Sequence, residues 1–254
     1  MSGWQRCETE SSTGNRVLAD VWEGTGPTLV LIPGTWGNAR TRGPFVERLD
    51  ADLRLVCVAL AGQDDNWPPP REPSIPQFSE DVRRLADHLG LSRFFVGGNS
   101  LGGMIAIDLL RLSPERILGA IAIEGWTHWT VKREAFDDDT SSTLNDDQRA
   151  FLAEVRRALL DRWDPDLRET YGTMWQQWDG WDILATAQAP VLEIWGDRGR
   201  PRPDRSIMRI PDRENITLEW IAGASHALLI EAPDHLATLI NAFVKAHRDG
   251  PPTG

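Results

Sequence analysis

Residues 93–113 read RFFVGGNSLGGMIAIDLLRLS, an apolar run that passes through a serine set among four glycines directly into a helical repeat. A strand that becomes a helix within one residue leaves the apex residue at positive φ, and the backbone around it must approach so closely that side chains are excluded. Few folds accept such a join. Five other short runs share the character of this strand: residues 28–32, 53–60, 118–124, 190–195 and 215–221 are strongly apolar and bounded by turn residues. Runs that are apolar on both faces predict strands of a buried, mostly parallel sheet. Helical patterns cover 78–90, 101–113 and 232–248. The alternation of strand and helix predicts an α/β fold built on a doubly wound sheet.

The alternation stops between 125 and 188. That segment has no strand pattern, a helical pattern over 146–163, and six of the chain's twelve tryptophans: Trp126, Trp129, Trp163, Trp175, Trp178 and Trp181. It reads as a helical cap. Residues 1–124 and 189–248 are then one α/β core, 125–188 the inserted cap, and 249–254 a disordered tail. A chain of 254 residues is long enough for a single large core. Large aromatic side chains would fasten a thin cap to that core, and some of them would line a pocket beneath it.

Charge narrows the partners. The chain has 38 acidic and 27 basic side chains, a formal net charge of −11, and no Lys/Arg cluster able to follow a phosphate backbone. Nucleic acid is therefore not expected. The acidic run at 136–147, FDDDTSSTLNDD, lacks calcium-loop spacing and reads as a solvated, mobile loop. The proline-rich stretch 59–78 reads as a stiff surface loop, with Asp64 and Asp65 in a solvated turn or, as the second reading, in contact with substrate. No apolar run is long enough to span a bilayer, and MSGWQRCETE at the start lacks the apolar centre of a signal peptide. Cys7 and Cys57 sit on strand-like sequence. A cytoplasmic protein without a membrane partner is expected.

The serine of the join, Ser100, is the residue that points to chemistry. Gly98-Asn99-Ser100-Leu101-Gly102 matches G-x-S-x-G in the strand–turn–helix setting that this motif requires. A serine hydroxyl is a weak nucleophile at neutral pH. It needs a base for its proton and dipoles for the charge that develops on an attacked carbonyl oxygen. The free N–H of Leu101 in the first helical turn supplies one dipole. The loop after the first predicted strand, PGTWGNAR at 33–40, supplies the second: Gly34 lets the backbone pass close to a substrate and leaves the N–H of Thr35 free to donate. Of five histidines, His226 in GASHALLIEAPD lies five residues beyond Ile221 and just before the last helix, where a base is expected.

With elbow, oxyanion loop, late histidine and inserted cap in place, the chain resembles the α/β-hydrolase superfamily over essentially its whole length. Most members carry His-Gly where this chain has Pro33-Gly34, a change of little consequence because the backbone is the donor. A larger departure concerns the third catalytic group. Most members place an Asp in a G-x-x-D turn after the strand at 190–195, and here that turn reads Gly196-Asp197-Arg198-Gly199. Asp197 and Asp204 lie in the same loop at other offsets. Glu124 ends the strand after the elbow, in the phrase IEGW, at the strand edge where ligands and catalytic groups collect. The layout with Glu124 resembles haloalkane dehalogenases, zearalenone lactonases and cofactor-free 3-hydroxy-4-oxoquinoline dioxygenases. Glu124 is the preferred acid and Asp197 the alternative.

Ser100 in place of a nucleophilic aspartate is incompatible with a dehalogenase. The expected function is hydrolysis of a carboxylic ester or lactone by Ser100, His226 and Glu124, with no cofactor and no metal. The substrate is expected to be a small hydrophobic or aromatic molecule, with Trp36, Asn99, Trp126, His128 and Trp129 as candidate contacts. Two alternatives remain: a cofactor-free dioxygenase in which His226 and Glu124 deprotonate an aromatic hydroxyl, and a ligand-binding protein that does no chemistry. The flanks of Ser100 weigh against the dioxygenase, which places histidines there; this chain has Asn99 and Leu101.

Overall fold

In the computed structural model, which describes residues 3–11, 13–140 and 143–249, the apolar runs form six adjacent strands of one eight-stranded sheet, reaching one of its edges. The strands are β1 (Trp4–Glu10), β2 (Arg16–Trp22), β3 (Thr28–Ile32), β4 (Arg54–Ala59), β5 (Phe94–Asn99), β6 (Ile117–Ile123), β7 (Val191–Gly196) and β8 (Ile216–Ile221). Their order is β1-β2-β4-β3-β5-β6-β7-β8. From β4 to β8 every neighbouring pair is parallel, whereas β1 and β2 pair antiparallel and β2 joins β4 antiparallel.

The period of two along each strand divides the core into two layers. Val30, Val56, Val96 and Ala120 face α2 (Ile75–His88) and α3 (Leu101–Leu112). Leu29, Leu55, Phe95 and Ile121 face α1 (Ala39–Val46) and a long C-terminal helix over Pro233–His247. Helix α2 starts three residues before its predicted position because Ser74 caps it, accepting from Gln77 N at 3.3 Å, and Pro76 fits the first turn.

Two features were outside the sequence reading. Strand β1 mixes exposed and half-buried residues, and in β2 the half-buried Asp20 interrupts the buried residues Val17–Val21, so neither offers the continuous apolar run used to find the others. Helix α1 begins within the loop read as 33–40: Asn38 caps it in a reciprocal box with Thr41.

Between β6 and β7 lie α4 (Thr130–Phe136), α5 (Asp146–Leu160), α6 (Pro165–Thr173), a 3₁₀ turn (Met174–Gln177) and α7 (Trp181–Thr186). Two helices follow β8: the short α8 (Leu228–Glu231) and the C-terminal α9 (Pro233–His247). Tryptophans fasten the inserted helices to the core, as expected. Trp163 packs edge-on against Trp36 and Trp67, with ring centroids 5.4 and 5.7 Å apart, and Trp178 Nε1 donates to Asp108 of α3 at 3.3 Å. The acidic run is engaged rather than free: Arg200 reaches Asp137 and Asp139, and Lys132 reaches Asp138. Residues 141–142 of that run, and residues 250–254 of the expected tail, lie outside the described residues. Among the described residues no helix is long and apolar enough to cross a membrane.

Candidate active site

The elbow is built by what cannot be present beside it. Ser100 has φ 56° and ψ −118°, and its N–H donates to Ile123 O of β6 at 2.8 Å. A Cβ on Gly98 would lie 2.5 Å from Ile32 O, and one on Gly102 would lie 2.1 Å from the same oxygen. Both glycines are therefore required for β5, α3 and the end of β3 to meet. The tight packing holds Ser100 in a conformation that costs a non-glycine residue about 1–3 kcal/mol. Ser100 sits at the amino end of α3, where first-turn N–H groups, Leu101 N among them, have no i−4 carbonyl.

The loop after β3 forms the facing wall. Gly34 passes so near the elbow that a Cβ would lie 3.3 Å from Ser100 Cβ. Its orientation is fixed by a residue that sequence reasoning did not single out. Gln63, fully buried, donates from Nε2 to Gly34 O at 2.6 Å and to Thr35 O at 3.0 Å. Both carbonyls are thereby held toward Gln63. Asn99 donates from Nδ2 to Ile123 O at 3.2 Å, tying the last residue of β5 to β6.

His226 and Glu124 meet across the neighbouring strand tips. His226 Nδ1 lies 3.1 Å from Glu124 Oε2, and the imidazole stacks on Trp126, with ring centroids 5.1 Å apart and an interplanar angle of 13°. The phrase IEGW thus supplies both contacts to the ring. Gly125 between them is needed because a Cβ there would lie 3.0 Å from Gly103 of α3. No hydrogen bond of 3.5 Å or less joins Ser100 Oγ to His226 among the described residues; such pairs often tighten only around a substrate.

Glu124 is completely buried and fully partnered. Its Oε1 accepts from Gly196 N and Arg198 Nη1, each at 2.7 Å, and its Oε2 accepts from Arg198 Nη2 at 2.7 Å as well as facing His226. Burial alone would push this carboxyl up. The hydrogen bonds from Arg198 and His226 outweigh that and hold it below the usual carboxylate range. Arg198 is itself fully buried, its guanidinium 3.8 Å over the Phe136 ring. The alternative acid is committed elsewhere: Asp197 Oδ1 accepts from Gly199 N at 2.9 Å and Gly223 N at 2.7 Å, which staples the loop after β7 to the loop after β8. Asp204 is exposed.

Ser100, Thr35, Trp36, Asn99, Trp126 and His226 line one cavity of about 450 Å³, roofed by residues of α4, α5 and the 3₁₀ turn. His128 and Trp129, expected there, do not line it. His128 Nδ1 is taken by Thr130, accepting from its backbone N–H at 3.3 Å, and Trp129 turns outward beneath Arg133. Trp175 of the 3₁₀ turn does line the cavity and was missed as a contact.

The sequence profile of the alpha/beta hydrolase family matches residues 29–239, most of the chain. The chain belongs to the alpha/beta hydrolase family. A Pseudomonas putida relative, the dihydrolipoyllysine-residue acetyltransferase component of an acetoin cleaving system, is 23% identical over 87% of this chain and 64% of its own length. A 2-heptyl-3-hydroxy-4-quinolone dioxygenase from Rhodococcus erythropolis is 22% identical over 86% of this chain and 87% of its own. The chain spans between 38% and 64% of the length of the first curated relatives it matches. Among solved structures, an esterase from Thermogutta terrifontis superposes with a TM-score of 0.77 at 19% identity, covering 96% of this chain and 99% of that one. That likeness is one of fold.

Within this alpha/beta hydrolase, the turn where the resemblance leads one to look for an acid instead delivers a cation. Arg198 lies in the Gly196–Gly199 turn and reaches back to Glu124 on the adjacent strand, so the acidic group and its counter-charge come from opposite sides of the β6–β7 boundary.

Proposed function

We propose that this chain is a serine hydrolase that cleaves a carboxylic ester or lactone through an acyl-enzyme on Ser100. The observation that carries the reading is the link from His226 Nδ1 to the buried Glu124 carboxylate beside an elbow serine in one cavity. With Nδ1–H donated to Glu124, Nε2 is the ring nitrogen left to take the Ser100 proton. Ser100 Oγ then bonds to the carbonyl carbon, and the N–H groups of Thr35 and Leu101 hold the oxygen that gains charge. Collapse breaks the acyl–oxygen bond, and His226 returns its proton to the leaving alkoxide. Water, deprotonated by His226, releases the acid and restores Ser100. Residues 125–188 serve as the cap that closes the cavity, and the apolar and aromatic side chains around Trp36, Trp126 and Trp175 suit a small substrate with a hydrophobic body. We place the protein in the cytoplasm on its two unpaired thiols, Cys7 and Cys57.

The test is hydrolysis of short 4-nitrophenyl esters by the intact chain, Ser100→Ala and Glu124→Gln. Activity that falls at least 10³-fold in Ser100→Ala and 10-fold or more in Glu124→Gln supports the reading. A wild-type protein that is silent, and that a fluorophosphonate does not label at Ser100, overturns it. The second reading, a cofactor-free dioxygenase, draws on the full-length similarity to the Rhodococcus dioxygenase; oxygen uptake with a 3-hydroxy-4-quinolone, retained in Ser100→Ala but lost in His226→Ala, would favour it.

A further inference from the structure

The molecule carries a formal net charge of −11, yet every charged side chain lining the Ser100 cavity, among the described residues, is basic: Arg42, Lys132, Arg149 and Arg156, beside the titratable His226. Glu124 is sealed behind His226 and neutralised by Arg198. Arg42 is balanced from outside the cavity by Asp20, at 3.2 Å, and Asp64, at 3.9 Å. The other three belong to the inserted helices.

Their arrangement is ordered by the helix that bears two of them. Arg149, Leu152, Ala153 and Arg156 all line the cavity, and their spacing of i, i+3, i+4 and i+7 is one face of α5. Two turns separate the arginines, about 10 Å along the axis, with an apolar step of Leu152 and Ala153 between them. Arg149 is held by Asp146 at 3.0 Å and Lys132 by Asp138 at 3.3 Å, neither acid lining the cavity. Arg156, exposed on α5, has no hydrogen bond or ion pair among the described residues. A concave wall lined by one sign of charge concentrates ligands of the opposite sign.

We propose that the substrate is an ester or lactone that carries a carboxylate, its apolar part lying along Leu152 and Ala153 and its charge held by Arg156 with support from Arg149 and Lys132. What happens to that substrate rests on the serine hydrolase reading; where its charge binds does not. The in-plane N–H fork of a guanidinium matches the two oxygens of a carboxylate, and the aromatic walls accept the apolar portion.

Two measurements separate the claims. The first compares mono(4-nitrophenyl) glutarate with neutral 4-nitrophenyl pentanoate on the intact chain, Arg149→Gln/Arg156→Gln, and Arg84→Gln on the outer face of α2 as control. The ratio of kcat/KM for the anionic over the neutral ester is expected to fall at least 5-fold in the double variant, through KM, and to fall similarly for the unmodified chain in 0.5 M NaCl. The control keeps the ratio. The second uses Ser100→Ala, in which tryptophan fluorescence follows binding of monomethyl glutarate against dimethyl glutarate. Tighter binding of the monoanion, lost when Arg149 and Arg156 are also replaced by Gln, supports the proposal. Hydrolysis without any anionic preference, or equal binding of the two glutarates, overturns it and leaves the hydrolase standing. Preference in binding with no turnover of either ester overturns the hydrolase and leaves the anionic site standing.

Discussion

The buried pair of Glu124 and Arg198 decides how the histidine is held. Two charges with no exposed surface are stable only because three hydrogen bonds, two from the guanidinium and one from Gly196 N, reach the carboxylate. Removing one partner strands the other. Arg198→Met is expected to destabilise the chain by about 3–5 kcal/mol in urea unfolding at pH 7.5, and the Glu124→Gln/Arg198→Met pair to cost less than the two single changes together by about 2 kcal/mol. Additive costs would refute the coupling. The pH dependence adds a sign. In the intact chain the Glu124 carboxyl is held low, so its contribution is present above the unfolded value of 4.5 and is lost as pH falls through the folded value. Without Arg198, burial dominates and pushes the carboxyl up, so the penalty in Arg198→Met is largest at pH 8 and shrinks toward pH 5. Glu124 was legible in the sequence because it ends a predicted strand in a place where a carboxylate has no structural reason to be. Arg198 was not: its partner is 74 residues away, and nothing local marks an arginine that folds inward. Gln63 escaped for the same reason, since its effect passes through the carbonyls of Gly34 and Thr35.

At the scale of elements, the join of β5 to α3 was readable because its requirement is contiguous: glycines two residues to either side of Ser100 record how closely the β3 end and α3 must pass. The same steric argument separates glycines that look alike in sequence. Gly98→Ala and Gly102→Ala would each force a Cβ within 2.5 Å of Ile32 O. Both are expected to abolish ester hydrolysis and to lower stability by more than about 3 kcal/mol, the strain of moving two backbone segments apart. Gly43, inside α1, has nothing within 4 Å of its Cβ position. Gly43→Ala is expected to leave activity unchanged and to shift stability by less than about 1 kcal/mol, since the better helix propensity of alanine is offset by its Cβ crowding Pro44, the next residue in α1. Thermal unfolding of the three variants checks this; a Gly102→Ala protein as stable and active as the parent would remove the reason given for the elbow's composition.

For the whole molecule, the parallel sheet explains why residues far apart in the chain converge. Thr35, Ser100, Glu124 and His226 follow the ends of β3, β5, β6 and β8, and strands that run the same way deliver their ends to one edge. The sheet's interior imposes a different condition, visible at Glu193. This residue lies mid-strand in β7, fully buried, with Trp195 Nε1 donating to Oε2 at 3.1 Å and no partner for Oε1 among the described residues. Burial pushes its carboxyl from 4.5 up to about 8, against weaker lowering by Trp195 and Arg205. The folded protein therefore keeps a proton that the unfolded chain releases above pH 4.5, and stability falls as pH rises from there toward 8. Glu193→Gln preserves the shape and removes the titration. Relative to the parent it is expected to gain about 1–3 kcal/mol between pH 5 and pH 7.5, read from urea unfolding at the two values. A difference that does not change with pH would mean that Glu193 is ionised in the folded sheet, and that a cation reaches it which the packing of β7 does not reveal.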